Sequence, residues 1–199
     1  MDILEKSVSF EQIIKGSRFL SELLVCTSQA HARLIIKEQK ARYSDATHVC
    51  HAFITGDKAQ IMGMSDDGEP SGTAGRPILD VLKGRGCTNT MLTVTRWFGG
   101  TLLGTGGLVK AYSNGAKEVI QMADELKAFA PLIEKKDFCF STPYSFHKTV
   151  TQMLKNYTLY NFSESFDTEV TLKGQIALTD FTEFSKTLLE LSNGTIKLN

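Results

Sequence analysis

Eleven of the sixteen glycines lie between Gly63 and Gly107, and only Gly174 and Gly194 follow residue 131. Glycine reaches positive φ without steric cost and lets backbone N–H groups come close to a neighbour or a ligand. Dense glycine at the ends of expected strands and ahead of expected helices therefore means tight turns with close helix–sheet packing, or a backbone surface for anions. The second reading follows because a helix start carries unpaired donors and the positive end of the peptide dipoles. Both readings stay open at this level.

The hydrophobic spacing around these glycines orders the chain. Ser17 to Cys26 reads as a partly alternating strand, and Ser28 can cap a helix carrying Ala32, Ile35 and Ile36 at helical spacing. Strands over His48 to Thr55 and Gln60 to Met64 flank the turn Gly56-Asp57. A polar loop, Ser65 to Gly75, leads into a helix starting near Pro77 and ended by Gly84 and Gly86. Thr90 to Phe98 alternates as a strand, with Leu92, Val94 and Arg96 on one face. The loop Gly99 to Gly107 precedes a helix from about Leu108 to Leu126. From Pro131 the texture changes. Strand (Ile133 to Phe140), helix capped at Thr142, strands (Thr158 to Phe166, Glu169 to Leu178), helix (Phe181 to Leu191) and strand (Thr195 to Leu198) give the order βαββαβ of a ferredoxin-like sandwich. The expected architecture is α+β in two domains, 1–130 and 131–199.

Composition removes several classes of function. Lys and Arg number 22 against 22 Asp and Glu, so any polyanion must be bound by a local patch. No run approaches the roughly 20 apolar residues needed to cross a bilayer, and Met1 to Lys6 lacks the apolar segment of a signal peptide. Cys26, Cys50, Cys87 and Cys139 form no CxxC pair and read as reduced, buried thiols of a cytoplasmic protein.

Candidate chemistry concentrates beside the glycines. Val81 to Lys117 holds Lys83, Arg85, Arg96, Lys110 and Lys117 and no acid, with Trp97 and Phe98 among them. That interval suggests contact with phosphates or a nucleic-acid backbone. It does not match GxxxxGK[ST], and Gly104-Thr105-Gly106-Gly107 is not GxGxxG. Asp66, Asp67 and Glu69 could hold a hard cation, cap the backbone N–H groups that follow them, or pair with Arg76 and Arg96. His48, Cys50 and His51 alternate across a strand, which is awkward for three metal ligands; a His48 that ties the strand to the loop is the better reading. Ser71 lacks a GxSxG turn, and Cys87 follows Gly86 ahead of a strand with no helix start to activate it. The aromatics of the C-terminal part, Phe138 and Phe140 among them, read as core.

The stretches Asp45-Ala46-Thr47-His48, Asp66 to Gly75 (DDGEPSGTAG), Val94 to Gly100 (VTRWFGG), Leu103-Gly104 and Gly106 to Tyr112 (GLVKAY after Gly106) resemble the IMPACT/YigZ family in order and spacing. Thr101 and Lys110 stand where that family commonly has lysine and arginine, and Trp97 where it often has tyrosine. The resemblance implies an N-terminal α/β domain like those of ribosomal proteins and elongation factors, and a ferredoxin-like C-terminal domain. It implies a link to the regulation of translation and brings no agreed catalytic residues.

These readings converge on a non-catalytic regulator that binds RNA or a ribosome-associated partner, without cofactor or resident metal. Arg96, Lys110 and the amides of Gly99, Gly100, Gly104, Gly106 and Gly107 are expected to contact phosphates. Asp66, Asp67 and Glu69 are expected to order the neighbouring loop or hold its arginines. A pure protein-interaction module, and a hydrolase acting on a phosphorylated or peptide substrate, are the alternatives.

Overall fold

The computed structural model describes residues 1–196 and 198 of the 199. Two compact units divide the chain, Met1–Leu132 and Ile133–Asn199. In the first, β1 (Asp2–Leu4), β2 (Val8–Ile14) and β3 (Ser17–Val25) lead to α1 (Gln29–Arg42). Then come β4 (His48–Thr55), β5 (Ile61–Ser65), α2 (Gly75–Arg85), β6 (Cys87–Thr88), β7 (Thr90–Trp97), α3 (Gly104–Glu125) and β8 (Phe129–Pro131). Five of these strands form an antiparallel sheet in the order β2-β3-β7-β4-β5. The short strands β6-β1-β8 form a second sheet.

Strand periodicity builds the core. Phe19 and Leu23 of β3, Leu92 and Val94 of β7 and Cys50, Ala52 and Ile54 of β4 are buried with Ile78 and Leu82 of α2 and Leu108, Ala111, Tyr112, Ala116 and Val119 of α3. Met91 and Phe53, at alternate positions, face the other way and meet Ala32 and Ile35 of α1. Ser28 caps α1 by accepting the His31 amide on its hydroxyl at 3.1 Å. Sheets with helices packed against them make the molecule α+β, as the sequence leads one to expect.

The second unit runs β9 (Lys135–Thr142), α4 (Tyr144–Leu154), β10 (Leu159–Phe166), β11 (Val170–Ala177) and α5 (Leu178–Leu191). Its sheet order is β10-β11-β9, with β11 antiparallel to both neighbours, so β9 and β10 run parallel with β11 inserted between them. That is the split βαβ arrangement. Phe138, Phe140 and Phe184 stack at its centre with Val150, Leu172 and Leu188.

Several local expectations are corrected. α3 begins at Gly104 rather than Leu108, because Gly104-Thr105-Gly106-Gly107 forms its first turn instead of ending a loop. The Thr142 side chain does not cap α4; Pro143 holds the cap position with no side-chain hydrogen bond there. Cys139 is half-buried rather than buried. The expected strand Thr195 to Leu198 includes Lys197, which lies outside the described residues; Thr195 and Ile196 are not in a strand. The strands β1, β2, β6 and β8 are absent from the sequence reading. Three of them are only two or three residues long, too short to show a period.

Candidate functional site

The acidic loop between β5 and α2 is tied down by its own carboxylates. Asp66 Oδ1 accepts from the amides of Ala74 and Gly75 at 3.0 and 2.8 Å, and Oδ2 from Gly72 at 2.8 Å. Those amides include the uncapped start of α2, since Ala74 at the cap position has no side-chain oxygen to offer. Asp67 accepts the Val49 amide at 2.7 Å and pairs with Lys40, clamping the loop to β4 and α1. The three carboxylates thus point at different partners. Among the described residues no group of three His, Cys, Asp or Glu side chains is placed to hold a metal.

Glu69 goes the other way, inward. Its side chain is 3% exposed and forms an ion pair with Arg96, itself 6% exposed, at 2.6 Å. Tyr112 of α3 donates its hydroxyl to the same Glu69 oxygen at 2.6 Å. Arg96 Nη2 reaches Ser17 Oγ at 3.3 Å, and its Nε is buried without a partner. Placing Arg96 on the core face of β7 requires this carboxylate, because an isolated buried charge is prohibitively costly. Burial also raises the Tyr112 hydroxyl well above its ordinary range and pushes the Cys50 thiol, 3.5 Å from that hydroxyl, up to about 12. Both stay protonated at neutral pH.

His48 sits at the first position of β4, and its Nδ1 lies 2.8 Å from the Asp67 carbonyl oxygen. A carbonyl only accepts, so Nδ1 carries a proton, and in the neutral ring Nε2 is then the acceptor. Nε2 faces Glu69 Oε2 at 3.9 Å.

His48, Glu69 and Arg96 line one cavity of about 440 Å³ with Thr47, Gly68, Pro70, Phe98, Leu102, Leu103, Gly104, Thr105 and Leu108. Its mouth is apolar: Phe98 is 46% and Leu102 82% exposed. The start of α3 opens on it, with no side chain capping the helix and no acid in its first turn. The first amides of an α-helix have no intrahelical partner. The positive end of α3 therefore faces the cavity, beside an internally neutralised Arg96–Glu69 pair.

The cations of the acid-free interval have different surroundings. Arg85 is paired with Asp2 and Asp124, both at 2.9 Å, and Arg96 with Glu69. Lys117 lines a separate groove between α2 and α3 with Arg76, Asp80 and Val109. Lys110 is exposed on α3 and does not line the cavity. Neither Nη of Arg96 is free for a bidentate clamp. The Gly99 amide is likewise engaged, donating to Ser17 Oγ at 3.1 Å. Gly99 is a packing residue: a Cβ there would fall 1.9 Å from the carbonyl carbon of Gly16. Gly104 lines the cavity, whereas Gly100 at φ +85° and Gly106 and Gly107 in the first turn of α3 do not. Leu102 escapes the sequence reading, and Thr47, Thr105 and Tyr112 enter it only as members of motifs, since nothing in their spacing marks them as neighbours.

Asp66 makes this region sensitive to acid. Burial works to raise its carboxyl, but the amides of Gly72, Gly75 and Ala74 outweigh it and hold the group below its ordinary value of 3.8. The unfolded chain then binds the proton first. The stabilisation is complete above that ordinary value and is lost as pH falls through the folded one. Asp66→Asn is expected to cost about 1 kcal/mol at pH 7 and to flatten the decline of the unfolding midpoint between about pH 5 and 3. Parallel declines in both proteins would contradict the assignment.

Similarity to known proteins points one way. Residues 15–120 match the model of the Impact N-terminal domain. An IMPACT family member of Haemophilus influenzae is 35% identical over 196 residues, covering 96% of this chain and 92% of its own. The IMPACT family member YigZ of Escherichia coli is 34% identical over 194 residues, covering 96% and 93%. A crystal structure of a hypothetical protein superposes over 99% of this chain and 95% of its own, with a TM-score of 0.72 and 31% identity. Among the described residues no helix is long and apolar enough to cross a membrane. Matched by the family model over residues 15–120 and by these relatives along nearly its whole length, this chain belongs to the IMPACT family.

Proposed function

We propose that this chain is a non-catalytic regulator of translation, acting in the cytosol, that binds RNA through the cavity at the start of α3. One observation carries the reading. Asp66 supplies the carboxylate that the start of α2 needs, while α3 opens uncapped and acid-free on a cavity with an aromatic rim. A phosphate completes the donors of α3, and Phe98 offers its ring to a base. Lys110 meets the backbone outside the cavity, and Arg96 acts by holding Glu69 and β7 in place. Family membership supports the translational setting.

Thr105→Asp tests this reading directly, because it places a carboxylate in the first turn of α3. Such a charge favours the helix by about 0.3–1 kcal/mol. Thermal stability should hold or rise while affinity for a short single-stranded RNA falls about tenfold or more in fluorescence anisotropy. Lys110→Ala should lower the slope of log affinity against log salt by about one. Unchanged RNA affinity in folded Thr105→Asp would overturn the proposal.

A further inference from the structure

The lining of the cavity includes a pair of acceptors that a phosphate cannot use. In the neutral ring His48 Nε2 presents a lone pair, because Nδ1 holds the proton donated to the Asp67 carbonyl. Glu69 Oε1 already accepts from Arg96 and Tyr112, leaving Oε2 as the carboxylate oxygen beside the cavity, 3.9 Å from Nε2. Two acceptors at that separation do not bond each other, and both call for a donor. The positive start of α3 contributes to the same cavity through Gly104 and Thr105, so one site offers donors at one part and acceptors at another.

We infer that the cavity receives the 3′-terminal ribonucleotide of an RNA, with its free 2′ and 3′ hydroxyls donating to His48 Nε2 and Glu69 Oε2. This rests on the reading that the chain binds RNA at the cavity. A cis-diol brings two donors side by side, as the acceptor pair requires. Carboxylates use the same chemistry when they hold ribose hydroxyls in nucleotide sites. A base amino group fits less well. Its hydrogens diverge by about 120°, so at ordinary hydrogen-bond lengths it bridges acceptors about 5 Å apart. DNA lacks the 2′ hydroxyl, and a chain ending in phosphate brings acceptors where donors are called for. The 5′ phosphate of the terminal nucleotide goes to the α3 amides and its base to Phe98. The volume of about 440 Å³ lies within the range of small-ligand sites.

The test uses the full chain and one 5′-labelled hexaribonucleotide with three ends: a free cis-diol, a terminal 2′-deoxynucleotide and a 3′-phosphate. Anisotropy titrations should rank the cis-diol tightest, with the 2′-deoxy end about tenfold weaker and the 3′-phosphate weaker again. His48→Ala should bring the cis-diol and 2′-deoxy ends together; since the unaltered protein supplies the ranking, a variant that fails to fold leaves the test intact. Equal affinity for all three ends overturns the diol assignment while leaving RNA binding standing. Failure to bind any of the three, or any longer single strand, overturns both.

Discussion

Glu69→Ala is expected to lower the stability of the N-terminal unit by about 3–5 kcal/mol, the largest effect of any single side chain at the cavity. The substitution leaves the Arg96 guanidinium buried against Phe19 and Phe98 with no counter-charge, and the Tyr112 hydroxyl with no acceptor other than water. Both losses have the same sign. Tyr112→Phe removes the bond to the Glu69 carboxylate and the weak one from Cys50, and should cost about 1.5–3 kcal/mol. Replacing Arg96 and Glu69 together by Met and Leu should recover much of the loss, because an apolar pair of similar volume leaves no charge unpaired. Trp97, the one tryptophan in the chain, lies at the end of β7, so its fluorescence during urea unfolding follows this unit. A loss below about 1 kcal/mol for Glu69→Ala would show that Arg96 finds solvent or another carboxylate in solution.

Gly99→Ala should cost about 3 kcal/mol or more in the same measurement, above the usual range for an added methyl group. The new Cβ would stand 1.9 Å from the Gly16 carbonyl carbon and 2.3 Å from the Ser17 nitrogen. Backbone, not a movable side chain, occupies that space. Either the turn between β2 and β3 or the end of β7 must shift, and the bond from the Gly99 amide to Ser17 Oγ goes with it. Gly106 gives the contrast: a Cβ there meets nothing within 4 Å, and its position is helical. Gly106→Ala should therefore be neutral or stabilising by up to about 1 kcal/mol. Equal effects at the two positions would mean that the close approach of Gly16 and Gly99 is absent in solution.

The glycine-rich interval holds residues of unlike purpose that sequence spacing makes look alike. Gly99 packs backbone against backbone, Gly86 closes α2 at φ +71°, and Gly104 opens α3 onto the cavity. Likewise the acid-free run of cations looks like one patch when read along the chain. Folding distributes it, because Arg85 at the end of α2 meets Asp2 and Asp124 while Arg96, alternating with Leu92 and Val94, turns into the core. Charge counted in sequence carries no direction; the strand and helix periods give each charge a face.

The sequence alone determined what depends on near neighbours: the helix started by Ser28, the alternation that aims Arg96 inward with Leu92 and Val94, and the motifs by which kinship is recognised. Hydrogen bonds and side-chain periods act over a few residues, so their signals are written locally. Tertiary structure decided which groups meet. Glu69 and Arg96 are 27 residues apart, and Tyr112 is 43 residues from the Glu69 carboxylate that accepts its hydrogen bond. The cavity exists only where β4, β7, the acidic loop and the start of α3 converge, and no local pattern encodes that convergence because its cause is the burial of one shared core.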